Sequence, residues 1–213
     1  MTPTEDLIEL LVAGARPVRR ARGPFARAGL WLALALGVIG GLALLHGPRP
    51  DLAARLAEPA FRVSLAAALL TGALAAVAAM LAGLPDRSRA WLLLPWPAAA
   101  LWVGGIGYGC LAHWVAFDPD GVQTGELLRC MGTLLASSIP LSALMFFLLR
   151  HAARLRPTAS VLSGALAVAA LTAAALSLLH EFDASLMILA WNFGTALLVV
   201  ALDAAIGRRM LRP

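Results

Sequence analysis

Long apolar stretches separated by short polar pieces make up most of the chain. As helices, stretches of about 20 apolar residues can cross a bilayer core roughly 30 Å thick. Six stretches of about this length are present, at residues 28–45, 63–84, 91–112, 127–149, 159–179 and 185–206. The pattern therefore predicts an all-α fold, an integral membrane bundle of six transmembrane helices that forms a domain from residue 28 to residue 213.

A short charged segment, residues 1–27, precedes the first apolar stretch. In TPTEDLIELLVAG, residues 2–14, Thr2 can cap a helix and Gly14 can end it. On a helical wheel the apolar side chains share one broad side: Leu7, Ile8, Leu10, Leu11 and Val12. Three acids occupy the other side: Glu5, Asp6 and Glu9. We therefore expect an amphipathic helix that becomes fully ordered only when its apolar side is covered.

The charge on this helix indicates what covers it. Helices that lie on the negatively charged inner surface of a membrane normally carry lysine or arginine on the polar face, whereas this helix carries three acids. A protein partner with a basic groove fits the helix better than lipid. The apolar side chains should then dominate the affinity, and the acids should mainly affect the association rate and its salt dependence.

Composition and charge agree with a membrane protein. The chain is 61% hydrophobic and 14% charged, which is typical of proteins packed against lipid. Its net charge of +5 is the balance of seventeen arginines and twelve acidic residues. The arginines lie at the ends of apolar stretches, so the charge sets orientation and does not indicate direct nucleic acid binding. Thirteen of the arginines lie on the side that holds the N-terminus, the second and fourth loops and the C-terminus. The positive-inside rule therefore predicts that both termini are cytoplasmic.

Histidines and cysteines are concentrated at the predicted outer ends of the helices. These residues are His46, His113, His180, Cys110 and Cys130. Three interpretations stay open: interfacial histidines with buried, unreactive cysteines; a redox-responsive thiol or disulfide formed by Cys110 and Cys130; or a soft or borderline metal ion bound by histidine and cysteine near Glu126 or Glu181.

Catalysis and cofactor binding find little support in the sequence. No nucleophile–base pair, HExxH or GxSxG motif stands out, and the glycine-rich GGIGYG at residues 104–109 lies inside a predicted transmembrane segment with no strand before it. The protein is therefore predicted not to be an enzyme and to have no cofactor, apart from the metal ion considered above.

Several short motifs resemble one known family. DLIELL (residues 6–11) is followed by PVRR (residues 17–20) and six predicted membrane helices, and the fourth helix begins with Cys130 and contains Pro140. This arrangement resembles the NrsF-type membrane anti-sigma factors. The resemblance implies a protein of the bacterial inner membrane that holds an extracytoplasmic-function sigma factor through its N-terminal segment, Pro17 and Val18 included. It also implies release of the sigma factor under metal or oxidative stress.

One position departs from the family pattern. Where the family usually has a second cysteine after the histidine that closes the fifth helix, this chain has Glu181 after His180. Cys130 is thus the cysteine carried over as a sensor residue, and the paired-cysteine sensing of the family requires that Cys110 replace the missing thiol. His180 and Glu181 complete the predicted sensor, and the predicted metal ligands are His46, His113, His180 and Cys130.

A small six-helix transporter or channel is the alternative function. Transport would require polar residues that converge at the middle of the membrane, where Asn192 is nearly alone in the sequence. The candidate functional side chains lie at the outer rim instead, so the sequence favours the membrane regulator.

Overall fold

The structure is a computed structural model that describes residues 4–14, 23–112, 124–150, 156–179 and 194. Side chains are described for these residues except positions 5, 7, 10, 11, 106–112 and 124–131. Every regular element in the described residues is helical: α1 (Thr4–Ala13), α2 (Pro24–His46), α3 (Leu52–Ala57), α4 (Pro59–Ala82), a 3-10 helix (Arg89–Leu93), α5 (Trp96–Ala112), α6 (Thr124–Leu149) and α7 (Pro157–Leu179). The predicted all-α class is confirmed for this part of the chain.

Four of these helices are long and apolar enough to cross a membrane: α2, α4, the Gly132–Leu149 part of α6, and α7. They correspond to the first, second, fourth and fifth predicted segments, which supports a multi-pass membrane protein. The third segment contains α5, a helix of 17 residues. The sixth segment lies outside the described residues except Gly194, so the count of six stays a prediction.

Proline explains where the observed helices differ from the predicted segments. The third segment was predicted to be one helix from Trp91, but a 3-10 helix ends at Leu93 and α5 begins only at Trp96. Pro95 lies at this break, because proline has no backbone N–H and its ring disfavours helical geometry at the preceding residue. Pro59 similarly separates α3 from α4 and takes the first position of α4, four residues before the predicted start at Val63.

Helices α4 and α7 form the centre of the bundle and run antiparallel. The backbone N–H of Arg49, before α4, donates to the carbonyl of Leu178 at the end of α7. At the other end, Arg156 Nη1 donates to the carbonyl of Arg87, which follows α4. Between these ends a Cβ atom on Gly72 would lie only 2.8 Å from the Leu171 side chain, so glycine permits the close approach of the two helices.

Two buried tryptophans fill the space between the alanine-rich helices. Trp31 of α2 packs with α4, α6 and α7 in one core cluster, and Trp102 of α5 packs with α4, α6 and α7 in the other. Trp31 is completely buried, and its indole Nε1 donates a hydrogen bond to the carbonyl of Leu141 in α6. Trp31 lies seven residues from the start of α2, and Leu141 lies eight residues before the end of α6. At ~1.5 Å per residue the two residues therefore lie at similar depth in the bundle.

Pro140 lies inside α6, as the sequence predicts, next to the residue that accepts the Trp31 hydrogen bond. Nearby hydroxyl groups bond to carbonyls of the same helix. Ser137 Oγ donates to the carbonyls of Thr133 and Leu134, at 2.8 and 3.1 Å. The carbonyl that loses its helical partner is that of Ala136, because Pro140 has no N–H. The hydroxyl of Ser137 therefore does not bond to the carbonyl that Pro140 leaves free.

Candidate functional site

The N-terminal helix α1 carries apolar side chains that solvent can reach. Ile8 is 54% exposed and Val12 is 69% exposed. The two residues lie one helical turn apart on the same side, where side chains spaced by four positions are neighbours. Gly14 forms a turn directly after the helix, which agrees with the predicted end. The structure thus presents a small apolar surface on α1, formed by Ile8 and Val12.

The other predicted partner-binding residues are only partly described. Asp6 and Glu9 are exposed on α1, next to exposed Thr4. Glu5, Leu7, Leu10 and Leu11 belong to the helix, but their side chains lie outside the described residues, as do Pro17 and Val18 altogether. The binding role of this set stays a prediction.

The predicted sensor residues lie largely outside the described part. Cys110 lies near the end of α5 and Cys130 in the second turn of α6, but neither side chain is described. His113, His180 and Glu181 lie outside the described residues. A disulfide between Cys110 and Cys130 and a metal site that includes these side chains therefore stay predictions.

His46 is the one predicted metal ligand with a described side chain. It is the last residue of α2, it is exposed, and its Nδ1 lies 3.2 Å from the carbonyl oxygen of Leu42. A carbonyl only accepts hydrogen bonds, so this contact places the proton of a neutral His46 on Nδ1 and leaves the Nε2 lone pair available. Within the described residues, no group of three histidine, cysteine, aspartate or glutamate residues is arranged to hold a metal ion.

Arg49 connects the loop after α2 to the end of α7. Although it lies in a loop, its side chain is only 5% exposed. Its Nε and Nη2 donate to the two carboxylate oxygens of Asp51, at 2.6 and 2.9 Å, and its Nη1 donates to the carbonyl of Ser177 at 3.3 Å. With the backbone bond to Leu178, Arg49 serves two of the last four carbonyls of α7, which lack partners within the helix. Its positive charge also suits the negative end of a helix dipole.

The local sequence explains how Arg49 reaches α7. Gly47 ends α2 in a left-handed backbone conformation, with φ of 75°, and its N–H bonds to the carbonyl of Ala43. Such positive φ values favour glycine, because other residues suffer a clash at Cβ. Pro48 and Pro50 then flank Arg49 and restrict the backbone of the loop on both sides.

Asp51 is held in its charged form by this contact. The hydrogen bonds from Arg49 and the positive charges of Arg49 and Arg55 lower the pKa of the Asp51 carboxyl below its ordinary value. A carboxyl with a lowered pKa stabilises the folded state above its ordinary pKa and loses that contribution as the pH falls. The Asp51 carboxyl therefore accepts the Arg49 hydrogen bonds as a carboxylate over the whole neutral range.

Sequence reasoning missed the role of Arg49. In the sequence, Arg49 is one of the four arginines outside the thirteen on the predicted cytoplasmic side. Its acceptor Ser177 lies 128 positions away, so no local pattern connects the two residues. One local signal was available: in GPRPD a single arginine stands between two prolines, with an aspartate two positions later. The contact places the end of α2, with His46, beside the end of α7, which comes directly before His180.

The opposite end of the bundle is rich in arginine and aromatic side chains. Arg156 bonds to the Arg87 carbonyl, and the Arg150 guanidinium lies 3.9 Å from the centre of the Phe147 ring. Trp91 and Trp96 are exposed beside the same loop. Tryptophan is enriched where membrane helices meet the polar lipid headgroups. Two loops predicted to be cytoplasmic are thus together at one end of the bundle.

Comparison with known proteins identifies the family. A family model described as NrsF, negative regulator of sigma F, matches residues 11–212. The match covers the bundle and the last three residues of α1, so DLIELL lies almost wholly before it. No curated protein and no solved structure matches the chain. Because the family match extends over nearly the entire chain, this protein belongs to the NrsF family, the negative regulators of sigma F.

Proposed function

We propose that the protein is a membrane-bound anti-sigma factor. In this proposal it sequesters an extracytoplasmic-function sigma factor through α1 and releases it on a metal or oxidative stress signal at the outer side. Membership in the NrsF family supports the regulatory role, since the family is described by its action on a sigma factor. The sigma factor, and not DNA, is the partner of this protein.

The observation that carries the proposal is the exposed apolar pair on α1. Ile8 and Val12 are exposed on a helix of ten residues, which at ~1.5 Å per residue is about 15 Å long, half the thickness of a bilayer core. This helix also exposes Asp6 and Glu9, which lipid does not favour. A groove in a protein, apolar at its base and basic at its rim, accommodates both features.

The arginine distribution supports the proposed orientation in the bacterial inner membrane. Loops that follow α4 and α6 carry arginines and meet at one end of the bundle, through Arg156 and Arg87. With this end in the cytoplasm, both termini are cytoplasmic and α1 lies where sigma factors act. The opposite end, which holds His46, then faces the outer compartment, where the chain positions of Cys110 and Cys130 also fall.

A double substitution on α1 tests the docking role. Replacing Ile8 and Val12 with aspartate removes two apolar side chains that are exposed, so the bundle should insert normally. Burial of each side chain contributes about 1.5 to 3 kcal/mol, and the loss of both should weaken sigma-factor binding by at least about a hundredfold. A reporter driven by the sigma factor, measured at equal amounts of membrane protein, should change from silent to active.

Asp6→Ser with Glu9→Ser provides the matched control, since these side chains are also exposed on α1 but are polar. We expect this variant to keep the reporter silent and to change mainly the salt dependence of binding by the purified protein. A reporter that stays silent with Ile8→Asp and Val12→Asp would show that α1 is not the docking element.

A further inference from the structure

Helix α2 connects the outer end of the bundle to the N-terminal segment. Besides the packing of its buried side chains, which include Leu42, hydrogen bonds hold it to the bundle at two levels. Near its start, Trp31 is buried and bonded to the Leu141 carbonyl of α6. Just beyond its end, Arg49 is bonded to the last turn of α7 through its side chain and its backbone. Arg49 lies three residues beyond the last residue of α2, so a displacement of this loop relative to α7 must break the bonds of Arg49.

These bonds are made to the last turn of α7, directly before the segment that begins at His180. The acceptors are the carbonyls of Ser177 and Leu178, two and three residues before His180 in the chain. Pro48 and Pro50 restrict the backbone on both sides of Arg49. The loop between α2 and α3 therefore cannot easily follow a movement of α7 by changing its own dihedral angles. A shift of the last turn of α7 is thus opposed directly by the hydrogen bonds of Arg49.

We propose that Arg49 is a positioning residue that holds the outer ends of α2 and α7 together in the state that captures the sigma factor. The inference rests on the proposed function. A signal received after α7 separates Arg49 from the Ser177 carbonyl and frees the outer end of α2, and α2 leads back to the residues that carry α1. Breaking the contact by mutation therefore produces the released state without a signal.

Arg49→Gln is the main test variant, because glutamine keeps a polar side chain but loses the positive charge and the bidentate contact with Asp51. The variant should still fold: Asp51 is 43% exposed and can be hydrated, and the backbone bond to Leu178 does not depend on the side chain. Arg55→Gln is the matched control. Arg55 lies in the same region but is 40% exposed; it pairs with Glu58 at 2.9 Å and approaches Asp51 only at 3.9 Å, without the bidentate contact that Arg49 makes.

The measurement is the uninduced activity of a sigma-dependent reporter, with each full-length variant expressed at equal membrane levels. We expect Arg49→Gln to raise it about tenfold over the wild type, a typical size for coupling between two sites. Arg55→Gln should stay within about twofold, as expected for a neighbouring pair on a helix surface. Arg49→Lys keeps the charge without the planar fork and should fall between them. This order separates positioning from a general loss of folding, which would lower the membrane level instead.

Asp51→Asn covers the case in which Arg49→Gln fails to accumulate. It keeps Arg49 and the Ser177 acceptor but weakens the pairing that orients the guanidinium, so the reporter should rise above that of Arg55→Gln. Equal reporter activity in Arg55→Gln and in the accumulating Arg49 or Asp51 variants would overturn the inference. The double variant Ile8→Asp with Val12→Asp, measured in the same strain, separates the two proposals. If it activates the reporter while the Arg49 and Asp51 variants do not, the positioning role of Arg49 is wrong and the docking role of α1 stands. If it also leaves the reporter silent, the docking role of α1 is wrong.

Discussion

Helix α1 and the α4–α7 pair use apolar residues in opposite ways. In α4 and α7, alanines and glycines are buried between helices that approach closely, as at Gly72 and Leu171. In α1, Ile8 and Val12 are exposed beside acids. Exposed leucines such as Leu44 also occur on α2, but α2 has 23 residues and is long and apolar enough to cross a membrane, where lipid would cover them. Exposed apolar side chains thus favour a protein partner where the helix is too short to span the membrane and its polar face carries acids.

The largest effect on the folded bundle should come from Trp31→Ala. It removes the largest completely buried side chain of α2 and its hydrogen bond to Leu141, and such truncations typically cost about 3 to 5 kcal/mol. Thermal unfolding of the purified full-length protein in detergent measures the loss. Phe146→Ala, on the exposed side of α6, is the control and should change the unfolding temperature little. Equal losses in both variants would contradict the buried position of Trp31.

Gly72→Leu should have an intermediate effect. A Cβ atom at this position already lies 2.8 Å from Leu171, so the larger side chain must push α4 and α7 apart, at a cost of about 1 to 3 kcal/mol. Gly37→Leu, on α2, is the matched control, because a Cβ atom there meets no atom within 4 Å. Both variants can be compared by unfolding temperature. If Gly37→Leu destabilises the protein as much as Gly72→Leu, the inference that Gly72 permits a close approach of α4 and α7 is wrong.

The smallest effect on bundle stability should come from α1. Ile8→Ser with Val12→Ser replaces exposed side chains, so the free energy of unfolding should change by less than about 0.5 kcal/mol per site. The same variant should weaken sigma-factor capture in a pull-down with the full-length protein. A marked fall in unfolding temperature would show instead that Ile8 and Val12 pack against the bundle, and the contrast between the two regions would disappear.

Sequence patterns predicted the parts of this structure that depend on neighbouring residues. The apolar stretches located four long helices, Gly14 located the end of α1, and the motifs around Cys130 and Pro140 led to the correct family. Pro95 was a local signal as well, but apolar length was given more weight and the break before α5 was missed.

Contacts between distant residues could not be predicted in this way. The bond from Arg49 to Ser177 and the bond from Trp31 to Leu141 depend on which helices are adjacent, which hydropathy does not specify. An arginine in a loop is usually exposed, so burial of Arg49 contradicts the general tendency of its residue type. The binding roles of Leu7 and Leu11 and the sensor role of Cys130 remain predictions, because these side chains lie outside the described residues.

The antiparallel pairing of α4 with α7 has a consequence for folding during synthesis. Gly72 and Leu171 are 99 positions apart in the chain, so α4 leaves the ribosome well before its main neighbour exists. Protein synthesis adds about 5 to 20 residues per second, so Leu171 is added roughly 5 to 20 seconds after Gly72. During this time the alanine-rich side of α4 lacks its main neighbour. Helix α1 is synthesised before both, so the segment proposed to bind the sigma factor emerges before α4 and α7 can pair.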